Sequence, residues 1–414
     1  MPTAAILSQG DEVVTGQIAD TNAAWLSERL TELGFQLVQH LAVGDRLADI
    51  VRAFQSSIEV ADLVVCTGGL GPTDDDLTTQ AVAAAFDRPL EFDEIAMQQI
   101  EALFARFQRH MPDINRRQAW LPRGTTRLDN SWGTAPGFAF HQGSSLLACF
   151  PGVPREMKPM FSERLVPLLR AQFPIQPGHL VTLRTVGISE SEIQARVGRF
   201  EHPKAVFGTR TVLPENQVKL RFTADSSAEE RHAVATSVAD KLGSSVFAIE
   251  GLGDAGGTLT EVIARLLLAQ GETLSVAESC TGGRVATECT SLPGSSRWFL
   301  EGVVSYSNDS KQRVLGVSEA TIQSFGAVSE PVAREMAEGL RSRSGSTYSL
   351  ATTGIAGPEG GSDEKPVGTV HIALATPSGT HHRRVSLGGD RHRIQALAVG
   401  TALDLLRRCL QHSL

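Results

Sequence analysis

Alternating apolar strands and amphipathic helical stretches predict an α/β protein in three parts: an N-terminal α/β domain, a small α+β module and a C-terminal α/β domain. Three observations carry that prediction. The chain has 414 residues, too many for one ordinary core. Its first 170 residues or so run strand, helix, strand, helix, strand. Two breaks, Phe173 to Gly178 and the glycine-rich Gly251 to Gly257, then divide the rest of the chain into segments of different pattern.

Ala4 to Ser8 is an apolar strand that passes through Gly10 into a helical pattern, Thr21 to Leu33, with Trp25, Leu26, Leu30 and Leu33 on one face. Gly34 closes that helix, and Phe35 to Val43 alternates as a strand does. A helix over Leu47 to Ile58 leads to the buried-strand run Asp62 to Thr67, so a largely parallel sheet is expected. Helical patterns lie near Leu77 to Ala85 and Glu94 to His110. Ala139 to Phe150 has strand character, and Arg155 to Phe173 reads as helix. Strands at Leu180 to Val186 and Gln217 to Thr223, with helices at Ser189 to Phe200 and Ala228 to Leu242, make the small module. From Thr258 an amphipathic helix opens the last alternation, which ends in a helix over Ile394 to Leu410. The expected domains are 1–173, 174–252 and 253–414.

Composition narrows the function classes. A formal net charge of −8 argues against a basic nucleic-acid surface, so anionic ligands would need local devices such as helix starts and a few placed cations. No apolar run approaches the roughly 20 residues of a membrane span, and the first residues lack a secretory layout. The cysteines Cys66, Cys149, Cys280, Cys289 and Cys409 are odd in number and unclustered, which suggests neither a disulfide framework nor a zinc site. A reducing cytoplasm is the expected location.

In the last domain three Gly/Ser/Thr-rich junctions stand out. Ala277-Glu-Ser-Cys-Thr-Gly-Gly283 is a strand running into a glycine pair that opens a helix, where free N–H groups can hold an anion or oxyanion. Thr353-Gly-Ile-Ala-Gly357 is a second such turn. Pro293-Gly-Ser-Ser296 is the third, with Tyr306-Ser-Asn308 and Lys311 coming after the next strand. A serine and a lysine on neighbouring elements form a hydrolytic pair when burial lets the amine act as base. Taken singly, each has a commoner structural fate: Ser295 and Ser296 as a turn or cap, Lys311 as a surface lysine, Cys280 as a small buried residue. Adjacent His381 and His382 would face opposite sides of a strand, which disfavours a shared metal.

Together AESCTGG (277–283), GVVSYSNDSKQRVLGV (302–317), GAVSE (326–330) and TGIAGPEGGSDEKPVGTV (353–370) resemble the CinA C-terminal family, which includes nicotinamide-mononucleotide deamidases. The resemblance implies a serine amidohydrolase with a Ser/Lys dyad and no cofactor. On it, Ser296 is the expected nucleophile, with Ser295 and Ser279 as alternatives, and Lys311 the base. Tyr306, Ser279, Thr281 and Thr353 are expected in the catalytic site. Gly282, Gly283, Ser295, Asn308, Gly354 and Arg391 are expected to bind substrate, Arg391 at the nucleotide phosphate.

The N-terminal domain carries a second cluster. Thr67-Gly68-Gly69-Leu-Gly71-Pro-Thr73-Asp-Asp75-Asp76 sits between a buried strand and a helix, a place where backbone can approach a phosphate. Its aspartates suit a hard divalent cation, although acidic residues also simply favour a helix start. With Gly10 to Gly16, Asp20-Thr-Asn22 and Phe150-Pro151-Gly152-Val-Pro-Arg155, this stretch resembles the molybdopterin-binding-like domain of the same family. That implies a three-layer fold and cleavage of ADP-ribose with a divalent cation of Mg, Mn or Co type. Thr67, Gly68, Gly69, Gly71, Thr73, Pro151 and Gly152 are then expected at the substrate, and Asp75 and Asp76 at the metal. Leu77-Thr-Thr-Gln80 departs from the basic-then-acidic pair of many relatives. The middle module resembles the family's KH-type segment but lacks an evident Gly-x-x-Gly loop, so no nucleic-acid partner is expected.

The expected protein is thus a cytoplasmic, homodimeric enzyme of nicotinamide-nucleotide salvage acting on nicotinamide mononucleotide and ADP-ribose, without a membrane. Its rivals are a molybdopterin-binding cofactor protein and a non-enzymatic competence-related binding protein.

Overall fold

The computed structural model describes residues 1–253 and 255–412; Asp254, in the glycine-rich break, lies outside them. The chain divides into two compact units, Met1–Gly178 and His179–Leu414.

The first unit is built on a six-stranded sheet. Its strands are β1 (Thr3–Gln9), β2 (Gln36–Val43), β3 (Leu63–Thr67), β6 (Thr126–Leu128), β7 (Gly137–Gln142) and β8 (Ser145–Phe150), while β4 (Leu90–Phe92) and β5 (Trp120–Pro122) form a separate ribbon. The order is β2-β1-β3-β8-β7-β6, with parallel pairing from β2 to β8 and antiparallel pairing of β8 with β7 and of β7 with β6. Alternation sends successive residues of β1 and β3 to opposite faces. Ala4, Ile6, Leu63 and Val65 pack with Leu26, Leu30 and Phe161, whereas Ala5, Leu7, Val64 and Cys66 pack with Ile50, Phe54 and Val82. Three layers result.

Two local expectations need correction. Ala139 to Phe150 is a hairpin, not one strand, because Gly143 turns the chain at φ 59. The helix expected over Arg155 to Phe173 is interrupted: Pro154–Met160 gives way to a π turn, Phe161–Leu165, before Val166–Gln172. Pro159 and Pro167 cannot donate to an α-helical ladder, which accounts for the break.

In the second unit a four-stranded antiparallel sheet comes first. It contains β9 (His179–Val186), β10 (Ala205–Val212), β11 (Glu215–Phe222) and β12 (Val246–Glu250), in the order β10-β11-β9-β12, with helices Glu190–Val197 and Ala228–Leu242 packed on it. The next sheet, five-stranded, has β13 (Leu274–Glu278), β14 (Phe299–Val304), β15 (Tyr348–Gly354), β16 (Thr369–Thr376) and β17 (Gly379–Ser386), ordered β14-β13-β15-β16-β17. Here β14, β13 and β15 run parallel, and β16 and β17 complete the sheet antiparallel.

Its two faces differ. Leu274, Val276, Leu350, Ile372 and Leu374 meet the helices Leu259–Gln270 and Arg391–Leu410. Ala277, Ala351, Ala373 and Ala375 form the other face, where small side chains let helix Glu330–Ser344 lie close through Val332, Ala333, Met336 and Leu340. Val186 and Phe247 of the four-stranded sheet join the first of these cores. No helix among the described residues is long and apolar enough to cross a membrane.

Candidate functional site

Parallel neighbours end on the same side of a sheet. Glu278 at the end of β13 is in register with Val304 of β14 and Thr352 of β15. The loops that leave these strands therefore meet at one edge, where open α/β sheets bind ligands.

After β13 the chain turns through Ser279 to Gly283. Gly282 and Gly283 have φ of 62 and 93, a region glycine enters without steric penalty. The turn is pinned by Glu278, whose buried carboxylate accepts the N–H groups of Gly283 (3.0 Å), Val285 (3.1 Å) and Ala286 (2.8 Å) at the start of helix Arg284–Thr290. A carboxylate at that end satisfies donors the helix leaves open and complements its dipole. Gln395 adds a hydrogen bond to the Cys280 carbonyl at 2.9 Å.

Ser279 is 8% exposed and Lys311 only 1%. Lys311 lies on helix Asn308–Leu315, started by the Ser307 side chain, and its Nζ is 3.0 Å from Ser279 Oγ. The same nitrogen lies 2.9 Å from the Ser305 carbonyl and 3.4 Å from that of Tyr306. Burial, which disfavours the charged amine, holds Lys311 below the usual lysine range. Two carbonyls can accept both protons of a neutral amine and leave its lone pair for the serine hydroxyl. Burial pushes the neighbouring Cys280 thiol up to about 12, so it is not a thiolate nucleophile at neutral pH.

Ser296 is not part of this pair. It sits exposed in the turn Ser295–Arg297, before β14 rather than after it. Six residues of strand at about 3.3 Å each set the two ends of β14 roughly 20 Å apart, which places Ser295 and Ser296 at the far edge of the sheet. Among the described residues the serine that meets Lys311 is Ser279.

The other expected residues do gather at the near edge. Thr281 Oγ1 bonds Thr352 Oγ1 at 2.7 Å, and Thr353 Oγ1 donates to the Ala327 carbonyl at 2.8 Å, with Gly354 next in the chain. Asn308 begins the helix of Lys311. Arg391 donates to the Tyr306 hydroxyl and to the Gly357 carbonyl, both at 2.8 Å, and Tyr306 remains 60% exposed. Glu278, Ser305 and Gln395 are not singled out by sequence pattern alone. Ser305 Oγ is buried with no hydrogen-bond partner among the described residues, beside the lysine. An acidic residue that ends an apolar strand just before a glycine-rich helix start is the signal the sequence carries for Glu278.

In the first unit the three expected stretches also converge. Asn22 Nδ2 donates to Thr67 Oγ1 (3.1 Å) and to the Gly152 carbonyl (2.7 Å), and Thr67 Oγ1 donates to the Pro151 carbonyl (3.2 Å). A Cβ on Gly152 would meet Gly68 at 3.4 Å, and one on Gly68 or Gly69 would press into Gln9. Asp76 accepts from Thr73 N (2.8 Å) and Thr73 Oγ1 (2.5 Å), while Asp74 pairs with Arg117 at 3.0 Å. Asp75 is exposed. A cleft of about 170 Å³, lined among others by Gly71, Asp76, Gln80, Arg117 and Trp120, opens beside this loop. No group of three or more His, Cys, Asp or Glu able to hold a metal occurs among the described residues.

Residues 257–410 match the family described as CinA C-terminal domain, and residues 5–171 that described as probable molybdopterin binding domain. A CinA-like protein of Shewanella loihica is 40% identical over 99% of this chain and 96% of its own length. Another, of Anaeromyxobacter dehalogenans, is 41% identical over 98% of this chain and 99% of its own. The crystal structure of competence/damage inducible protein CihA from Agrobacterium tumefaciens, 41% identical, covers 38% of this chain and 99% of its own, with a TM-score of 0.35. With both domains matched in order and relatives aligned along nearly their whole length, the chain belongs to the CinA family.

Proposed function

We propose that the C-terminal domain is a serine amidohydrolase that converts nicotinamide mononucleotide to nicotinate mononucleotide and ammonia. The buried Lys311 amine 3.0 Å from Ser279 Oγ is the observation that carries this reading. Lys311 takes the hydroxyl proton as Ser279 Oγ bonds to the carboxamide carbon. On this reading the developing oxyanion is held by the N–H groups of Cys280 and Thr281, which follow Ser279 in the turn and make no backbone hydrogen bond among the described residues. Lys311 then gives its proton to the departing nitrogen, and ammonia leaves an ester on Ser279. Water, deprotonated by the same amine, attacks that ester. Its collapse frees nicotinate mononucleotide and returns the proton to Ser279. Arg391, at the rim beside Tyr306, is suited to the nucleotide phosphate.

Ammonia release from nicotinamide mononucleotide tests it, with chelator present. Ser279→Ala should lower kcat by at least about 10³-fold and Ser296→Ala by less than about threefold. The reverse ranking would return the nucleophile to Ser296, and no release by folded wild type would end the deamidase reading.

The convergence of Asn22, Thr67, Gly68 and Gly152 supports a second activity in the first unit, hydrolysis of ADP-ribose. The Gly68–Gly71 loop would approach the diphosphate, and Asp75 with Asp76 would hold a divalent cation of Mg, Mn or Co type that screens its charge. Asp75→Asn should then impair ADP-ribose cleavage while ammonia release stays unchanged. Equal loss of both would argue against separate sites.

A further inference from the structure

One cluster at the five-stranded sheet has no part in the chemistry above. His371 Nδ1 lies 3.0 Å from His382 Nε2, and His382 Nδ1 lies 3.2 Å from the Glu330 carboxylate. Glu330 is held from its other oxygen by Arg334 at 2.8 Å. An ionised carboxylate only accepts, so His382 carries its proton on Nδ1 and offers Nε2 as acceptor. His371 must then donate through Nδ1, which leaves its own Nε2 with a bare lone pair. Burial first, then the neighbouring His382, Arg384 and Lys365, pushes His371 down to about 4, against the opposing pull of Glu330. It is neutral at physiological pH.

The sheet register says where this nitrogen sits. Thr353 is paired with His371, and the Ser279 N–H continues the β13–β15 ladder by donating to the Thr352 carbonyl. Ser279, Thr353 and His371 thus form one row across three strands. Alternation puts them on the face that carries Ala277, Ala351 and Ala373, the face over which Lys311 reaches. Two strand spacings separate the backbones of Ser279 and His371 by about 10 Å. With the carboxamide at Ser279, a pyridine ring and its glycosidic bond are long enough to reach across Thr353, whose hydroxyl is turned to the Ala327 carbonyl, to His371.

We propose that His371 is a specificity-determining residue, its Nε2 accepting a hydrogen bond from a ribose hydroxyl of the nicotinamide nucleotide. His382 and Glu330 are positioning residues that fix its tautomer. The inference rests on the deamidase reading of the same site.

Calorimetric binding to the Ser279→Ala protein tests it without turnover, using nicotinamide mononucleotide and its 2′-deoxy and 3′-deoxy analogues. Loss of one of the two hydroxyls should weaken binding about tenfold. With His371→Phe added, the parent nucleotide should bind about tenfold more weakly and neither analogue more weakly still. The same hydroxyl penalty in both proteins, or none in Ser279→Ala, would overturn the assignment. His371→Gln, which keeps an acceptor, should retain part of the penalty even if Phe disturbs the sheet. Nitrogen NMR should find His371 protonated on Nδ1 in wild type and as mixed tautomers in Glu330→Ala; a wild-type Nε2–H would refute the positioning role. Wild type that binds the nucleotide without releasing ammonia removes the deamidase reading alone, whereas absent binding removes both.

Discussion

Replacing Lys311 by methionine separates its chemistry from its packing. Methionine fills a similar volume and makes no polar demand, whereas the lysine is 1% exposed and contacts Ser279 Oγ and two carbonyls. Loss of a positioned general base should lower kcat/KM by about 10²–10⁴-fold, or about 3–5.5 kcal/mol of barrier. The stability change should be small, because two terms oppose. Two carbonyls lose a donor, at about 1 kcal/mol each. Against that, the wild-type fold holds the protonated amine at a penalty, since burial lowers its pKa below 10.5. Between the folded value and 10.5 the unfolded chain binds more protons, so wild-type stability rises with pH across that window, and the methionine variant should lack the rise. Ammonia release and urea unfolding, each from about pH 6 to 10, read the two effects. Wild-type kcat/KM should climb with an apparent pKa under that of free lysine. Lys311→Arg, which keeps the charge but cannot give up its proton, should be as inactive as Lys311→Met. Activity within about tenfold of wild type in a folded Lys311→Met protein would refute the base assignment.

Two further substitutions probe buried carboxylates of the second unit. Glu278→Gln puts an amide donor where three N–H groups seek acceptors, and should cost about 2–3 kcal/mol in urea unfolding along with most of the ammonia release. Unchanged stability would mean that the carboxylate does not pin the turn. Asp404→Ala leaves the buried Arg407 guanidinium without its carboxylate partner and should cost about 3–5 kcal/mol, read as a fall in midpoint. A loss below about 1 kcal/mol would show that water reaches the freed charge.

Much of the layering was legible because period-two strands and helical stripes alternate so regularly. Ile6 and Leu7, adjacent in sequence, enter opposite cores, as a strand covered on both faces requires. The hairpin at Gly143 was hidden because its two strands differ little in apolar character and its turn, Gly143-Ser144, is short. The site was legible as a set of motifs but not as a pairing. Ser296 is closer to Lys311 along the chain than Ser279 is, and only the order β14-β13-β15 decides which serine arrives. β13, the middle one of the three parallel strands, delivers Ser279 to the edge where β14 ends, while Ser296 enters at the edge where β14 begins. The partnership of His382 with His371 needed the antiparallel β16–β17 register, which local pattern does not encode.

Helix Arg391–Leu410 spans about 30 Å as one unbroken rod. Its first turns carry Arg391 to Tyr306 and Gln395 to the Cys280 carbonyl, next to Ser279. Its middle, at Gly400, lies against Pro214 in the β10–β11 turn and Val186 of β9, and near its end Arg407 donates to the Ser244 carbonyl at 2.7 Å. The glycine-rich break that separates these segments in sequence is therefore no mechanical break. One rigid helix thus touches the four-stranded sheet with its second half and the candidate site with its first turns.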